Sequence, residues 1–394
     1  MYRNILVTLD NSRYSLWGLE RALELATNFK ATLVGNHVYA SRLHEKRFVQ
    51  MEPGLPAQYQ EPAELQKQRD IHAELIERGL QVISDSYLDV FQSRCDSSGV
   101  ACSRKMMEGK NYLELVRDID QSSYDLVAIG ARGLGEVEDA ALGSVCERVT
   151  RRISIDALVM KNDKPLRGGH VVVGVDGSEQ SFAAVASAIA MCKHMGCRMT
   201  LLAVFDPFFH YKAFDTIAEV LSEEAGKTFR FDEQEKLHKE IIDSGLEKIY
   251  RDHLDTAALM AKKEGIEAAS ELLAGKPYHA ILQWIGDREV SLLALGKVGA
   301  HCVDEQDIGS NTEKLLRYAP CNVMLVSRKV KPDDDADMPL AELNWTDEAQ
   351  EMLMRVPGFV RNMVRGHMEK NARNAGADTI TGAMMREARE KMGM

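Results

Sequence analysis

One pattern occurs twice in this chain at identical spacing, and it limits the folds available more than any other feature. Gly130-Ala131-Arg132-Gly133 is followed, after nine residues, by Gly143-Ser144; Gly296-Lys297-Val298-Gly299 is followed, after nine residues, by Gly309-Ser310. Each copy comes directly after an apolar run, Asp125-Leu126-Val127-Ala128-Ile129 or Ser291-Leu292-Leu293-Ala294-Leu295. Each leads through a helix-like segment into a second run, Ala157-Leu158-Val159-Met160 or Asn322-Val323-Met324-Leu325-Val326. Glycine at the end of a strand lets the backbone turn sharply and lets a ligand approach main-chain N–H groups with no Cβ in the way. A Gly-Ser pair then opens a helix whose free N–H groups and dipole favour an anion. Ser144 and Ser310 are placed to cap that helix and to donate to a phosphate oxygen. Ordinary strand–loop–helix punctuation would give one such copy; two with matched spacers and flanks predict a duplicated α/β nucleotide-binding domain.

The start of each half matches as well. Asn4-Ile5-Leu6-Val7-Thr8-Leu9-Asp10-Asn11-Ser12 has its counterpart in His170-Val171-Val172-Val173-Gly174-Val175-Asp176-Gly177-Ser178. Such unbroken runs predict central parallel strands buried on both faces. The Ser, or the Asp before it, can cap the helix that follows, Leu16 to Leu25 in one half and Phe182 to Met191 in the other. Asp-x-Ser is also a common capping turn. In a doubly wound sheet, however, carboxyl ends of neighbouring strands share the ligand crevice, which puts Asp10 and Asp176 within reach of a ribose or a metal.

The rest of the chain fits two domains and an appendage. It has 394 residues and 45% apolar content, ordinary for a globular protein. A formal net charge of −11 argues against nucleic acid or an anionic membrane as partner, since either favours a basic face. No stretch is apolar for long enough to cross a bilayer, and no basic-then-apolar signal opens the chain. The seven scattered cysteines fit thiols in a reducing cytoplasm better than a disulfide framework, with Cys192 and Cys197 in packing roles.

Long insertions interrupt both halves. Residues 41–60 read as irregular, with Pro53, Gly54 and Pro56, and a helix follows from Pro62 to Ser93. In the second half an aromatic segment with Phe208, Phe209, Tyr211 and Phe214 offers a lid, an interdomain contact or packing against its own domain, ahead of a helix from Asp232 to Lys263. Lys331 to Pro339, acidic and bounded by prolines, reads as a linker. Beyond it are a short helix from Thr346 to Met354, a longer one from Phe359 to Ala375, and a last one from Thr379 to Lys391, crowded with methionines that suit an adaptable core or a partner groove. His301-Cys302 lacks partners at metal-site spacing, and His367 is open to an axial-ligand role but, alone on a helix, reads as a surface histidine.

The two halves resemble the universal stress protein family in its tandem form, over about residues 1–161 and 169–328. The resemblance implies two five-stranded parallel sheets, Rossmann-like and of the adenine nucleotide alpha hydrolase type. In that family the doubled glycine pattern marks members that bind ATP. Carried over, it implies a phosphate and ribose cradle at Gly130, Gly133, Gly143 and Ser144 and another at Gly296, Gly299, Gly309 and Ser310. Asp10 and Asp176 would lie beside the nucleotide, and Val38 and Val204 would pack on adenine. The spacers are acidic here (Glu136, Glu138, Asp139; Asp304, Glu305, Asp307), which predicts either outward-facing carboxylates or a bridging Mg²⁺. Arg132 and Lys297, between the paired glycines, are the expected compensation.

Residues 343–394 are similar to the C-terminal helical domain of the light-independent protochlorophyllide reductase B subunit. The likeness rests on Trp345, Glu348-Ala349, Val356-Pro357, Phe359-Val360-Arg361, Glu369, Ala372-Arg373, Gly376 and Ile380-Thr381. It implies a three-helix module for contacting a protein or a tetrapyrrole-like ligand, without the reductase's chemistry; with no cysteine in the tail, tail thiolates alone hold no iron–sulfur cluster. The resulting expectation is a cytoplasmic stress or signalling protein that binds ATP, ADP or AMP, with Mg²⁺ an open question. It would be an internal pseudo-dimer that also admits a homodimer, with the tail engaging a protein partner. Two other readings stand beside it: a slow Mg-dependent ATPase or nucleotidyl-transfer enzyme, and a tetrapyrrole- or redox-linked accessory protein regulated by nucleotide. No catalytic dyad or metal box is visible, so the enzyme reading is the weaker.

Overall fold

The apolar runs that close the two glycine motifs meet each other in space. Strands β5 (Asp156–Met160) and β10 (Asn322–Val326) pair antiparallel, Leu158 opposite Met324. Outward from β5 lie β4 (Leu126–Gly130), β1 (Asn4–Thr8), β2 (Thr32–Tyr39) and β3 (Cys102–Glu108); outward from β10 lie β9 (Leu292–Gly296), β6 (His170–Gly174), β7 (Arg198–Phe205) and β8 (Ala268–Ala274). All these neighbours are parallel. The result is one ten-stranded sheet made of two five-stranded parallel halves related by the seam. This computed structural model describes residues 1–135, 141–206, 243–286, 288–300, 307–332, 343–354, 364–365, 368–369, 372, 377 and 379–391. It divides into two compact units, Met1–Pro332 and Asp333–Met394.

Alternation along the strands explains the layers. Ile5 and Val7 face one apolar cluster and Leu6 the other; Val171 and Val173 join the first, Val172 the second. Helices cover both faces, so every residue of these runs is buried and the near-continuous β-branched pattern follows. Each cluster contains residues of both halves, and the seam interrupts neither face.

Polar side chains fix the seam's register. Asn322, fully buried, accepts from Lys161 N (2.8 Å) and Asn162 N (3.1 Å) and donates to Asn162 Oδ1 (3.1 Å). Its counterpart Asp156 accepts from Ser327 N (2.9 Å) and from the Tyr2 hydroxyl (2.8 Å). Burial raises the Asp156 carboxyl above the usual carboxylate range, opposed by Arg328. Each seam strand thus begins with a side chain that satisfies backbone N–H groups just beyond the end of the other.

Helices following β1 and β6 run Arg13–Phe29 and Glu179–Met195, longer than their apolar stripes. Ser41–Met51 is helical, where irregular chain was expected; the breakers Pro53, Gly54 and Pro56 act only after it. Pro62–Ser98 is a single helix that packs through Leu88, Phe91 and Cys95, spaced for one face. The second insertion is helical over Asp243–Lys263; its expected start, the aromatic segment, the linker beyond Pro332 and the pair His301-Cys302 lie outside the described residues.

In the second unit, helices Asp347–Met354 and Gly382–Lys391 flank a core of Ala349, Leu353, Met368, Ala372, Ile380 and Met385. Thr346 caps the first helix, accepting from Ala349 N (3.3 Å). Thr379-Ile380, expected to begin the last helix, instead pairs in parallel with Asn344-Trp345 as a two-stranded sheet. The expected middle helix is described only at Val364, Arg365, Met368, Glu369 and Ala372, all helical; His367 lies outside the described residues.

Asn322→Ala should lower the urea midpoint, with a cost of ~1–3 kcal/mol, because it strands two N–H groups at the seam. An unchanged midpoint would show that the side chain does not hold the seam.

Candidate functional site

Each glycine motif lines a cleft at the carboxyl ends of the strands, where open α/β sheets place their ligands. Asp10, Val38, Gly130, Arg132, Gly133, Gly143 and Ser144 all line the first, of about 600 Å³. Asp176, Val204, Gly296, Gly299, Gly309 and Ser310 line the second, of about 410 Å³. Of the residues expected at the two sites, Lys297 alone is missing from its cleft.

The two clefts are built the same way. The chain leaves the first strand of each half through Asp, then a left-handed residue, Asn11 (φ 59°) or Gly177 (φ 83°). Asp10 Oδ1 accepts from the backbone N–H (3.0 Å) and hydroxyl (2.6 Å) of Ser12, and Asp176 does the same with Ser178 at 3.0 and 2.6 Å. The serines, not the aspartates, cap the helices, accepting from Ser15 N (3.2 Å) and Ser181 N (3.1 Å). Each Asp is thereby held as an anion-bearing turn with Oδ2 facing the glycine loop. A Cβ on Gly133 would lie 2.5 Å from Asp10 Oδ2, and one on Gly299 2.8 Å from Asp176 Oδ2. That approach is why glycine stands at both positions.

Gly143 N donates to Ala131 O (2.7 Å) and Gly309 N to Lys297 O (2.9 Å), tying each helix start to its loop. Here the expected serine caps need correcting. Gly143 and Gly309 are the capping residues of helices Ser144–Arg152 and Ser310–Tyr318, with extended backbone and no side-chain cap. Ser144 and Ser310 are first-turn residues, because the glycine before each is the last with non-helical dihedrals. The first-turn N–H groups therefore receive no side-chain acceptor from the cap, which leaves them for an anion.

Lys297 also needs correcting. It is 6% exposed, and Nζ donates to Ile153 O (2.6 Å) and Arg151 O (3.1 Å), at the end of the helix Ser144–Arg152 in the other half. Lys161 does the converse, donating to Ala319 O (2.8 Å) and Arg317 O (3.0 Å) behind the helix Ser310–Tyr318. Helix C-terminal carbonyls favour a cation, and burial draws Lys297 away from solvent-facing phosphate. Burial lowers both ammonium groups to about 8. Of the acidic spacers, Asp307 pairs with Arg151 (2.8 Å), and its own backbone turn at Ile308 holds its carboxyl low; Glu136, Glu138, Asp139, Asp304 and Glu305 lie outside the described residues.

Some cleft residues carried no signal in the motif. His37 and Tyr87 wall the first cleft, ring centroids 5.1 Å apart and His37 Nδ1 2.8 Å from Ser84 Oγ. Tyr250 lines the second, with His253 behind it 5.7 Å away against Gly177. Burial pushes both histidines down from their ordinary value. These side chains come from β2 and from the long insertion helices, so only helix placement brings them to the strand ends.

Comparison with known proteins agrees with this architecture. The chain matches the Universal stress protein family over residues 1–161 and again over 169–327, and its tail matches the Proto-chlorophyllide reductase 57 kD subunit over 345–389. The chain therefore belongs to the universal stress protein family. It is 25% identical over 166 residues to universal stress protein MJ0531 of Methanocaldococcus jannaschii, covering 41% of this chain and 83% of that protein. A universal stress protein structure from Pseudomonas aeruginosa superposes with a TM-score of 0.54 at 12% identity, over 82% of this chain and 93% of the other. The tail is 50% identical over 50 residues to the light-independent protochlorophyllide reductase B subunit of Porphyra purpurea, covering 13% of this chain. The chain spans about a tenth (10%) of that reductase protein's length.

The seam lysines make a pH prediction. Unfolded lysine keeps its proton to about 10.5 while Lys161 and Lys297 release theirs near 8. Between those values the unfolded chain binds more protons, so their contribution to stability rises with pH. Wild type should gain urea resistance relative to Lys297→Met as pH is raised from about 8 towards about 10. Parallel pH profiles would refute the buried-ammonium assignment.

Proposed function

We propose that each cleft binds an adenine nucleotide and that the chain acts as a nucleotide-controlled switch in a stress response. One observation carries this: the same cradle is built twice, each with a strand-end carboxylate, a loop that only glycine permits, and a helix opening on uncapped N–H groups. Phosphate suits the helix openings of such a cradle, since first-turn N–H groups and the helix dipole meet its charge with no side-chain cap in the way. Apolar Val38 and Val204, at the ends of β2 and β7, suit the adenine face, and the Asp10 and Asp176 carboxylates suit ribose hydroxyls. A nucleotide would supply negative charge at both helix starts, and this chain's part is to bind and orient it.

Mg²⁺ would be held mainly by phosphate oxygens. Among the described residues no three His, Cys, Asp or Glu side chains cluster as metal ligands, and Mg²⁺ accepts one carboxylate with phosphate and water as its remaining ligands. Membership in the family supports the nucleotide reading. Binding rather than turnover is proposed because Oδ1 of each carboxylate is engaged by Ser12 or Ser178.

The tail is proposed as the effector for a protein partner. It forms a compact unit with its own core, and its methionines, buried at Met368 and Met385 and exposed at Met354, suit repacking against a partner. A cytoplasmic setting is proposed on the described cysteines, all free thiols. Among the described residues no helix is long and apolar enough to cross a membrane.

Calorimetric titration of the full chain with ATP should show uptake at two sites. Gly133→Val should remove the first and Gly299→Val the second, and bound ATP should persist for hours with Mg²⁺ present. No uptake by wild type overturns the reading. Steady turnover lost on Asp10→Asn or Asp176→Asn would make the protein an enzyme instead.

A further inference from the structure

We infer that the two clefts are energetically coupled across the seam, through Lys161, Lys297 and the two helices that frame the clefts, so that filling one cleft changes the affinity of the other. This rests on the nucleotide reading of the clefts and adds to it how they are regulated.

The geometry is reciprocal. Lys297 sits inside the glycine loop of the second cleft, yet its ammonium is fixed to Arg151 O and Ile153 O at 3.1 and 2.6 Å. Those carbonyls end the helix Ser144–Arg152, whose other end frames the first cleft. On the first side, Ala131 of the glycine loop donates to Met160 O (2.8 Å). The next residue, Lys161, is fixed to Arg317 O and Ala319 O at 3.0 and 2.8 Å. Those carbonyls end the helix Ser310–Tyr318, which frames the second cleft. The second loop thus grips the far end of the first cleft's helix directly, and the first loop reaches the far end of the second cleft's helix through Met160 and Lys161.

The two lysines are not counterparts in the repeat. Ala131 stands where Lys297 does in the second copy, and Ser327 stands where Lys161 does in the first. The same connection is made twice from different positions, because a helix end at the seam presents carbonyls that need donors on both sides.

The helices also hold each other along their length. Arg151 in the last turn of one pairs with Glu313 in the first turn of the other (2.7 Å), and Arg317 pairs with Glu147 (2.5 Å). Glu147 and Glu313 lie beside the N–H groups that face the clefts. An anion arriving there repels the adjacent glutamate and so biases its carboxylate towards the arginine of the opposite helix. Each helix has nine residues, about 13 Å, short enough to shift as one body. A displacement at its cleft end is felt at its carbonyl end, where the other cleft's loop is attached.

Among the described residues one tie has no counterpart. Asp307, in the second spacer, pairs with Arg151 at 2.8 Å, and Ala141 occupies the matching place in the first spacer. The second cleft's loop is therefore attached to the first cleft's helix at two points, Lys297 and Asp307. In thermodynamic terms the coupling is still equal in both directions.

The experiment is ATP titration of the full chain, wild type against Gly133→Val and Gly299→Val. Each glycine variant reports one cleft with the other empty. Independent clefts would give a wild-type isotherm equal to the sum of the two single-cleft curves. Coupling predicts that the second binding constant departs from that sum by about fivefold or more. It further predicts that the departure shrinks below about twofold in the double variant Lys161→Met, Lys297→Met, whose clefts keep all their own residues. Should valine at either glycine unfold the chain, Asp10→Asn and Asp176→Asn replace them as weakened single-cleft variants of the same volume. Hydrogen exchange gives a second readout: in Gly299→Val saturated with ATP, protection of helix 310–318 should change although its own cleft is closed. A wild-type isotherm that equals the sum, or a departure that survives unchanged in the double lysine variant, overturns the coupling and leaves nucleotide binding intact. No ATP uptake by wild type overturns both.

Discussion

Everything in the first unit depends on the antiparallel contact between β5 and β10. Each half alone would end in an apolar strand with unpaired N–H and C=O groups, an edge that invites further pairing. Joining the two edges satisfies those groups and makes both apolar faces continuous, so that Met324 and Leu158 are as deeply buried as Leu6 or Val172. It also removes any need for the halves to find one another as separate chains. An isologous contact of this kind ordinarily relates two subunits; here the chain supplies both sides, and its two sides are free to differ in sequence.

Some of those differences lie where the halves touch. Asp156 and Asn322 occupy matching positions and satisfy matching backbone groups, one as a carboxyl that burial pushes upward and one as a neutral amide. Lys161 and Lys297 do matching work from unmatched positions. The cleft walls diverge too, with His37 and Tyr87 on one side and Tyr250 and His253 on the other. The cradles themselves do not diverge: the approach of each Asp to its glycine, and of each glycine N–H to its loop, is the same to within a few tenths of an ångström. The backbone geometry that receives an anion tolerates little change, while the side chains around it can be exchanged.

Much of this was readable in the sequence, for a local reason. Alternation in Ile5-Leu6-Val7 and in Val171-Val172-Val173, the Asp-x-Ser turns, and the paired glycines each depend on residues close together in the chain. Contiguous residues fix dihedral preferences, turn chemistry and strand burial, and the repetition removed most of the ambiguity of a single motif. The tail was readable in the same measure: Thr346 caps its helix as its position requires, but the pairing of Thr379-Ile380 with Asn344-Trp345 spans too much chain to be inferred from either segment.

By itself, then, the sequence determined two parallel α/β halves, the glycine loops, the strand-end aspartates and the family to which they belong. Only the tertiary structure decided which way Lys297 points. In the linear pattern it sits between two glycines of an anion loop as that loop's one cation, and electrostatics at that level assigns it to phosphate. In the folded chain the nearest unsatisfied acceptors are carbonyls of residues well over a hundred positions away, brought there by the seam. A helix C-terminus needs donors wherever the fold sets it down, and a buried ammonium has to end on such oxygens, so its partner is chosen by packing rather than by sequence neighbourhood.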